Sequence, residues 1–417
     1  MKLTYKNTLH ACYTGMVTQA AINNLAPLLF VIFQDTFQIS LEMIGRLVLI
    51  NFGVQLATDI VAVRYADKIG YRRCVVGAHL FCVLGLLGLS LFPMVFPSPY
   101  VGLVCAVVLY AIGGGLIEVL VSPMVEAIPG DGKALSMSLA HSFYCWGQMA
   151  VVLVTTLILY LIGQNLWYVL PWLWAVIPFC NMLLFLRVPI AHPTDGGDAM
   201  PVRKLFSKRA FWVFLIIMMC AGASELSMSQ WSSFFAQRGL GVPKVVGDIL
   251  GPCMFALLMG LGRLGYGLWG GKIQLKYALS GCAALCIACY LVVSLTNNPV
   301  LSLAACALCG FSVSLMWPGA VSMSAKSFPL GGTAMFGLLA MFGDLGCSLG
   351  PWVTGAVAGA VESGVYTVKT ALLQAATLEQ VGLKCGILAA ALFPVLLLLC
   401  VLFLKNKHSQ TDSSCNK

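Results

Sequence analysis

Two glutamates, Glu118 and Glu225, stand in the middle of long apolar runs, where burying a charged side chain in a bilayer costs roughly 2.5 to 3.5 kcal/mol. Residues kept at that cost bind protons, contact a solute or tie helices together. Gly114, Glu118, Ser122 and Glu126 recur every four positions and so share one helix face. Asn51, Gln55 and Asp59 form a second such stripe, Ser138, His141, Cys145 and Gln148 a third, and Gly222, Glu225, Ser229 and Ser232 a fourth. Gln19 and Asn23 come just before Pro27, which loosens a helix. Together these stripes offer amides, hydroxyls and carboxyls to a water-filled path. The plainer alternative is that they only bond helix to helix, Glu118 to His141 for example. Trp146, Trp231 and Trp317 also lie within spans, where they suit stacking on flat solute faces and equally suit core packing. The substrate-binding candidates are therefore Gln19, Asn23, Asn51, Gln55, Glu118, His141, Gln148, Glu225, Trp231 and Trp317, and the coupling candidates are Glu118, Glu225 and Asp344.

The elements that must position these residues follow from composition. Of 417 residues, 60% are hydrophobic and 9% charged, against about 25% charged in a soluble domain. A water-soluble fold is excluded. A hydrocarbon core about 30 Å thick takes roughly 20 residues per crossing helix, so a dozen crossings use about 240 residues. β-Barrels read as short alternating segments, whereas Val75 to Val95 and Ile387 to Leu404 are continuously apolar. Helices are expected near 9–34, 43–66, 74–95, 100–128, 135–162 and 167–187, then near 210–238, 246–271, 275–295, 300–327, 333–361 and 382–404. The expected units are residues 1–187, a central loop at 188–209, residues 210–404 and a tail at 405–417.

Counted by alternate loops, seventeen Lys and Arg fall on the side that holds both termini and the central loop, and five (Arg46, Arg238, Lys244, Lys369, Lys384) on the other. The positive-inside rule makes the first side cytoplasmic. Near that side, Asp59, Arg64, Asp67, Arg72, Arg73 and Arg263 are read as a conformational latch of state-dependent ion pairs, or as plain topology anchors. Asp59 and Asp67 are spaced as are Arg263 and Gly271, and Pro123 and Pro318 follow glycines at matching depths, which points to a duplicated six-helix half.

Other chemistries lack their residues. The net charge of +9 has no exposed basic domain to carry it, so nucleic-acid binding is excluded. The seventeen cysteines are scattered through apolar runs and read as free thiols. No Walker A lysine, HExxH pair or close Cys/His set occurs, so no ATP-driven pump, metal centre or cofactor is expected, and the chain is read as no enzyme. Gly260, Gly262 and Gly265 fit a dinucleotide pattern but lie inside an apolar helix, where they serve packing.

Asp67-Lys68-Ile69-Gly70-Tyr71-Arg72-Arg73 resembles the loop signature between helices 2 and 3 of the major facilitator superfamily, with Val63 in place of the leading glycine. Gly113 to Glu126, Ala134 to Gly147, Gly222 to Glu225 with Trp231, and Gly343-Asp344-Leu345-Gly346 followed by Gly350-Pro351 resemble the fucose permease and glucose transporter branch. The resemblance implies an all-α membrane protein of twelve transmembrane helices in two pseudo-symmetric six-helix bundles, working by alternating access in the plasma (cytoplasmic) membrane. It further implies a sugar-like substrate, proton symport and a monomer. The proton-coupled members carry an acid in helix 1, and Gly15 to Gln34 has none, so coupling through that position is ruled out. The competing classes are a proton-antiport exporter of amphipathic compounds and a channel or receptor.

Overall fold

Backbone groups in hydrocarbon find partners only within the protein, so each apolar run closes its hydrogen bonds as a helix. The computed structural model describes residues 3–129, 133–191, 202–269, 274–328, 330–364 and 377–404, without the side chains of residues 63, 67, 126, 133–138, 141, 267–269 and 332–334. Among the described residues the helices fall into twelve spans, one of them the shorter Val169–Phe185. The first is α1 (Tyr5–Leu28) with α2 (Phe30–Phe37), and α3 (Leu41–Ile69), α4 (Tyr71–Val95), α5 (Pro99–Ala127), α6 (Lys133–Ile162) and α7 (Val169–Phe185) complete the first bundle. After the short α8 (Val202–Phe206) come α9 (Arg209–Phe234), α10 (Lys244–Asp248) with α11 (Met254–Trp269), α12 (Leu275–Leu295) and α13 (Pro299–Val313) with α14 (Met316–Ser327). Then α15 (Gly332–Glu362) and α16 (Leu378–Ala390) with α17 (Leu392–Phe403) close the second bundle. Helix ends fall within four residues of the sequence expectation.

An even number of spans puts both chain ends on one face, the terminal face. Two breaks shape the opposite face. Pro27 has no N–H to give the carbonyl of Asn23, and the first span bends by 46° between α1 and α2. Gln230 of the seventh span donates to that open carbonyl at 3.0 Å. The eighth span begins with α10 and passes through a π turn at Ile249–Cys253 that contains Pro252, an irregularity common at working sites.

Small residues let spans meet across and within the bundles. A Cβ on Gly346 would collide with the backbone oxygen of Met219, so spans 7 and 11 touch backbone to backbone. Spans 2 and 11 form the longest seam between bundles, through Glu42 against Gly359, Gly45 against Gly355, and Ser348, whose hydroxyl donates to the Leu49 carbonyl at 3.0 Å. That seam, the Arg238–Asp35 ion pair and the bond from Gln34 to Glu379 at 3.3 Å close the face away from the termini. Toward the terminal face the seam runs out: Ile60, Val61 and Tyr65 of α3 are exposed.

Candidate functional site

The polar stripes of the first bundle meet in one connected network. Gln19 on α1 donates to the Gln55 carbonyl oxygen at 2.8 Å and to Glu118 Oε2 at 3.0 Å. Gln55 on α3 donates in turn to Asn23 Oδ1 at 2.8 Å and Asn51 Oδ1 at 3.0 Å, and Asn51 donates to Asn23 Oδ1 at 3.0 Å. Gly114 makes room for the Gln19 and Gln55 side chains: a Cβ there would lie 2.9 and 3.2 Å from their oxygens. The oxygen of Gln19 is buried without a partner, and a buried orphan acceptor is costly. Such a chain of amides ending in a half-buried carboxylate can exchange hydrogen bonds with the hydroxyls of a neutral solute. Tyr144, which in the sequence stands out only as part of a motif, lies beside Asn23 and Asn24.

The second bundle places a cation at its boundary with the first. Arg263 stands 3.6 Å from Glu225 and contacts Cys145 Sγ at 3.2 Å, with 29% and 13% of the Arg263 and Glu225 side chains exposed. Arg263, expected near the terminal face as a helix-end charge, stands six residues inside the end of its helix and touches Cys145 of the first bundle. Gln148 on α6 donates to Ser229 on α9 at 3.0 Å, which joins the bundles at mid-depth. Asp59 is 4% exposed, and its carboxyl lies beside that of Asp344, a residue of the other bundle.

Other expected residues lie elsewhere. Trp231 is 0% exposed, packs on Phe30 and Phe234, and donates its indole N–H to Pro351 at 3.0 Å, so it is core on the closed face. Trp317 lies against Gly343, where an added Cβ would run into the indole ring. Arg72 donates twice, at 2.7 Å, to the carbonyls of Phe185 and Val188 and so caps the sixth span, as basic groups near helix C-termini do. Arg64 is exposed above the Tyr65 ring at 5.7 Å, and Arg73 is exposed. The side chains of His141 and Asp67 lie outside the described residues.

One assembly is invisible to the sequence patterns. Lys244 counts as a loop charge by position, yet it is buried 3.1 Å from Asp248 and donates to the Leu28 carbonyl at 2.6 Å, at the break between α1 and α2. Asp248 is wholly buried and also accepts from Thr156 of α6 at 2.9 Å and from Ser233. Its one sequence signal is the Lys-to-Asp spacing of four residues at the start of an apolar span. Among the described residues, no three His, Cys, Asp or Glu stand where they would hold a metal ion.

The sequence profile of the Major Facilitator Superfamily matches residues 11–351. The chain belongs to that superfamily. It is a multi-pass membrane protein of a transporter family, and not an enzyme. Its fold is shared with solved structures. A bacterial homolog of the human lysosomal transporter Spinster, inward-facing and occupied, superposes with a TM-score of 0.74 at 16% identity, over 96% of this chain and 97% of that one. The nucleoside transporter NupG gives 0.73 at 14% identity over 97% and 100%. A D-xylose-proton symporter gives 0.72 at 12% identity over 94% and 97%. Comparison with curated protein sequences returns no match.

Proposed function

We propose that this superfamily member moves a small neutral, hydrogen-bonding solute, sugar-like in its hydroxyl pattern, by alternating access with proton symport. The amide network of Gln19, Asn23, Asn51 and Gln55 ending on Glu118 carries the reading. Its acceptors and donors match a polyol, and the Arg263–Glu225 pair leaves the second bundle's share of the path nearly neutral. A cavity for amphipathic cations would need a broad apolar lining around one free carboxylate. The sequence resemblance to the fucose permease and glucose transporter branch agrees with this choice. A thermal-shift screen of the purified protein against sugars, nucleosides, carboxylates and cationic drugs tests it. A neutral polyol should raise the melting point of the parent and not of Gln55→Ala; stabilisation by cationic drugs alone would contradict the reading.

The charge asymmetry supports a topology with both termini in the cytoplasm, and we read the chain as a monomer of the cytoplasmic membrane. A cysteine introduced at Ser363 should then react with an impermeant thiol reagent applied from outside, and one at Asp195 should not. The reverse pattern would invert the topology.

A further inference from the structure

Asp59 and Asp344 have no cation to explain their burial. Both are 4% exposed, and among the described residues neither belongs to an ion pair. Oδ1 of Asp59 and Oδ2 of Asp344 are buried without partners, and the two carboxyls lie side by side. Two ionised carboxylates side by side in a buried seam without a cation repel, and a proton on one of them removes the repulsion and supplies a donor to the other. The Asp59 Oδ1 is aimed at the bare backbone of Gly115 on α5, where an added Cβ would meet it at 2.9 Å. One residue away, the unpartnered oxygen of Gln19 faces Gly114 in the same manner.

The pair's position points the same way. The seam of spans 2 and 11 passes from Glu42 with Gly359, through Gly45 with Gly355 and Leu49 with Ser348, to Asp59 with Asp344, and beyond that point α3 turns exposed. The pair stands at the fork where the two bundles part. We infer that Asp59 and Asp344 form a proton-binding site that bridges the bundles, one shared proton holding spans 2 and 11 together at the fork of their seam. Loss of that proton to the aqueous side leaves two like charges in contact in a low-dielectric seam and drives the spans apart.

The titratable groups around the pair do not supply a countercharge. Glu118 of α5 adds a further acid, Cys347 lies one turn along α15, and Glu225 of α9 is paired with Arg263. Arg64 and Lys68 of α3, and Arg203 and Lys204 of α8, are exposed, and Lys326 ends α14 at the terminal face. Arg72 of α4 is taken by the carbonyls of the sixth span, and Tyr144 and Cys145 of α6 lie beside Glu225 and Arg263. Asp35 of α2 and Glu379 and Lys384 of α16 belong to the closed face. His141 and Glu126 have side chains outside the described residues.

The inference rests on the alternating-access reading for its consequence in transport, but its test needs no solute. Full-length protein in lipid nanodiscs is followed by hydrogen–deuterium exchange, corrected for the intrinsic pH dependence of exchange. In the parent, exchange of 41–51 and 348–361 should rise severalfold as pH is raised. In Asp59→Asn and in Asp344→Asn, where an amide N–H replaces the shared proton, it should stay low at every pH. Variants that keep the parent's pH response, or a parent with none, would overturn the site. Should the variants fail to fold, the infrared carbonyl band of a protonated carboxyl in the parent decides: it must fade on the alkaline side together with the rise in exchange, and its absence sinks the proposal. If the pH response appears while no neutral solute stabilises the protein, the proton site stands and the solute reading falls. A stabilising neutral solute without any pH response removes the proton site and leaves the solute reading standing.

Discussion

Glu118→Gln is expected to abolish uphill accumulation of solute while leaving binding and counterflow measurable. Glu118 accepts from Gln19 at 3.0 Å, and the glutamine oxygen keeps that acceptor and its shape while it can no longer take up a proton. Glu118→Ala removes the acceptor as well and should weaken binding by about 10- to 100-fold, the loss expected for one hydrogen bond to a charged group. Glu225 is the control. Its carboxylate faces Arg263, 3.6 Å away, rather than the amide network, and Glu225→Gln should accumulate solute. The reverse result would move the proton carrier to the seventh span. Parent-like accumulation by both variants would make these carboxylates helix contacts and end the coupling hypothesis. Among the described residues no hydrogen bond joins Asp59 to the amide network, so the seam pair is no substitute for Glu118 at the solute.

The second large effect is expected at Lys244 and Asp248. Removing one partner of a buried ion pair costs about 3–5 kcal/mol, because the remaining charge is left uncompensated. Here the partners reach across the bundles, Lys244 to the Leu28 carbonyl and Asp248 to Thr156, and those bonds tie the bundles together at this face. Asp248→Asn and Lys244→Met should each expose the π turn behind them. The readout is the labelling rate of native Cys253, which is buried, with buried Cys220 near the other end of the second bundle as the control for global unfolding. Cys253 alone should accelerate in the single variants, and the double variant, with neither charge, should recover part of the parent rate. Equal acceleration at both cysteines, or none, would show that the pair does not hold the face.

What is legible in the sequence is periodic. Gln19, Asn23, Asn51, Gln55 and Glu118 are visible as polar positions on apolar helices, and the network they form needs only that neighbouring spans pack with those faces inward. The twelve spans are legible for the same reason. Contacts between distant spans are not. Asp59 and Asp344 are separated by 285 positions, and nothing local to either marks the other. Arg263 reads as a helix-end charge because charge counting follows distance along a helix, whereas its pairing with Glu225 depends on the rotation of α11. Trp231 has the composition of a stacking platform, yet the bend at Pro27 brings Phe30 against it and makes it core. Lys244 is misread by the same charge rule that gives the topology, since a lysine at a span end is ordinarily solvated and this one finds a carbonyl freed by a helix break.

We propose that this chain couples a proton to the movement of a neutral polyol through the Gln19–Gln55–Glu118 network. Its most direct test is uptake of the stabilising solute into proteoliposomes under an imposed pH gradient. The account requires accumulation above the external concentration in the parent, collapse on addition of a protonophore, and no accumulation in Glu118→Gln. Equilibration without accumulation in the parent, or accumulation that persists in Glu118→Gln, would contradict it.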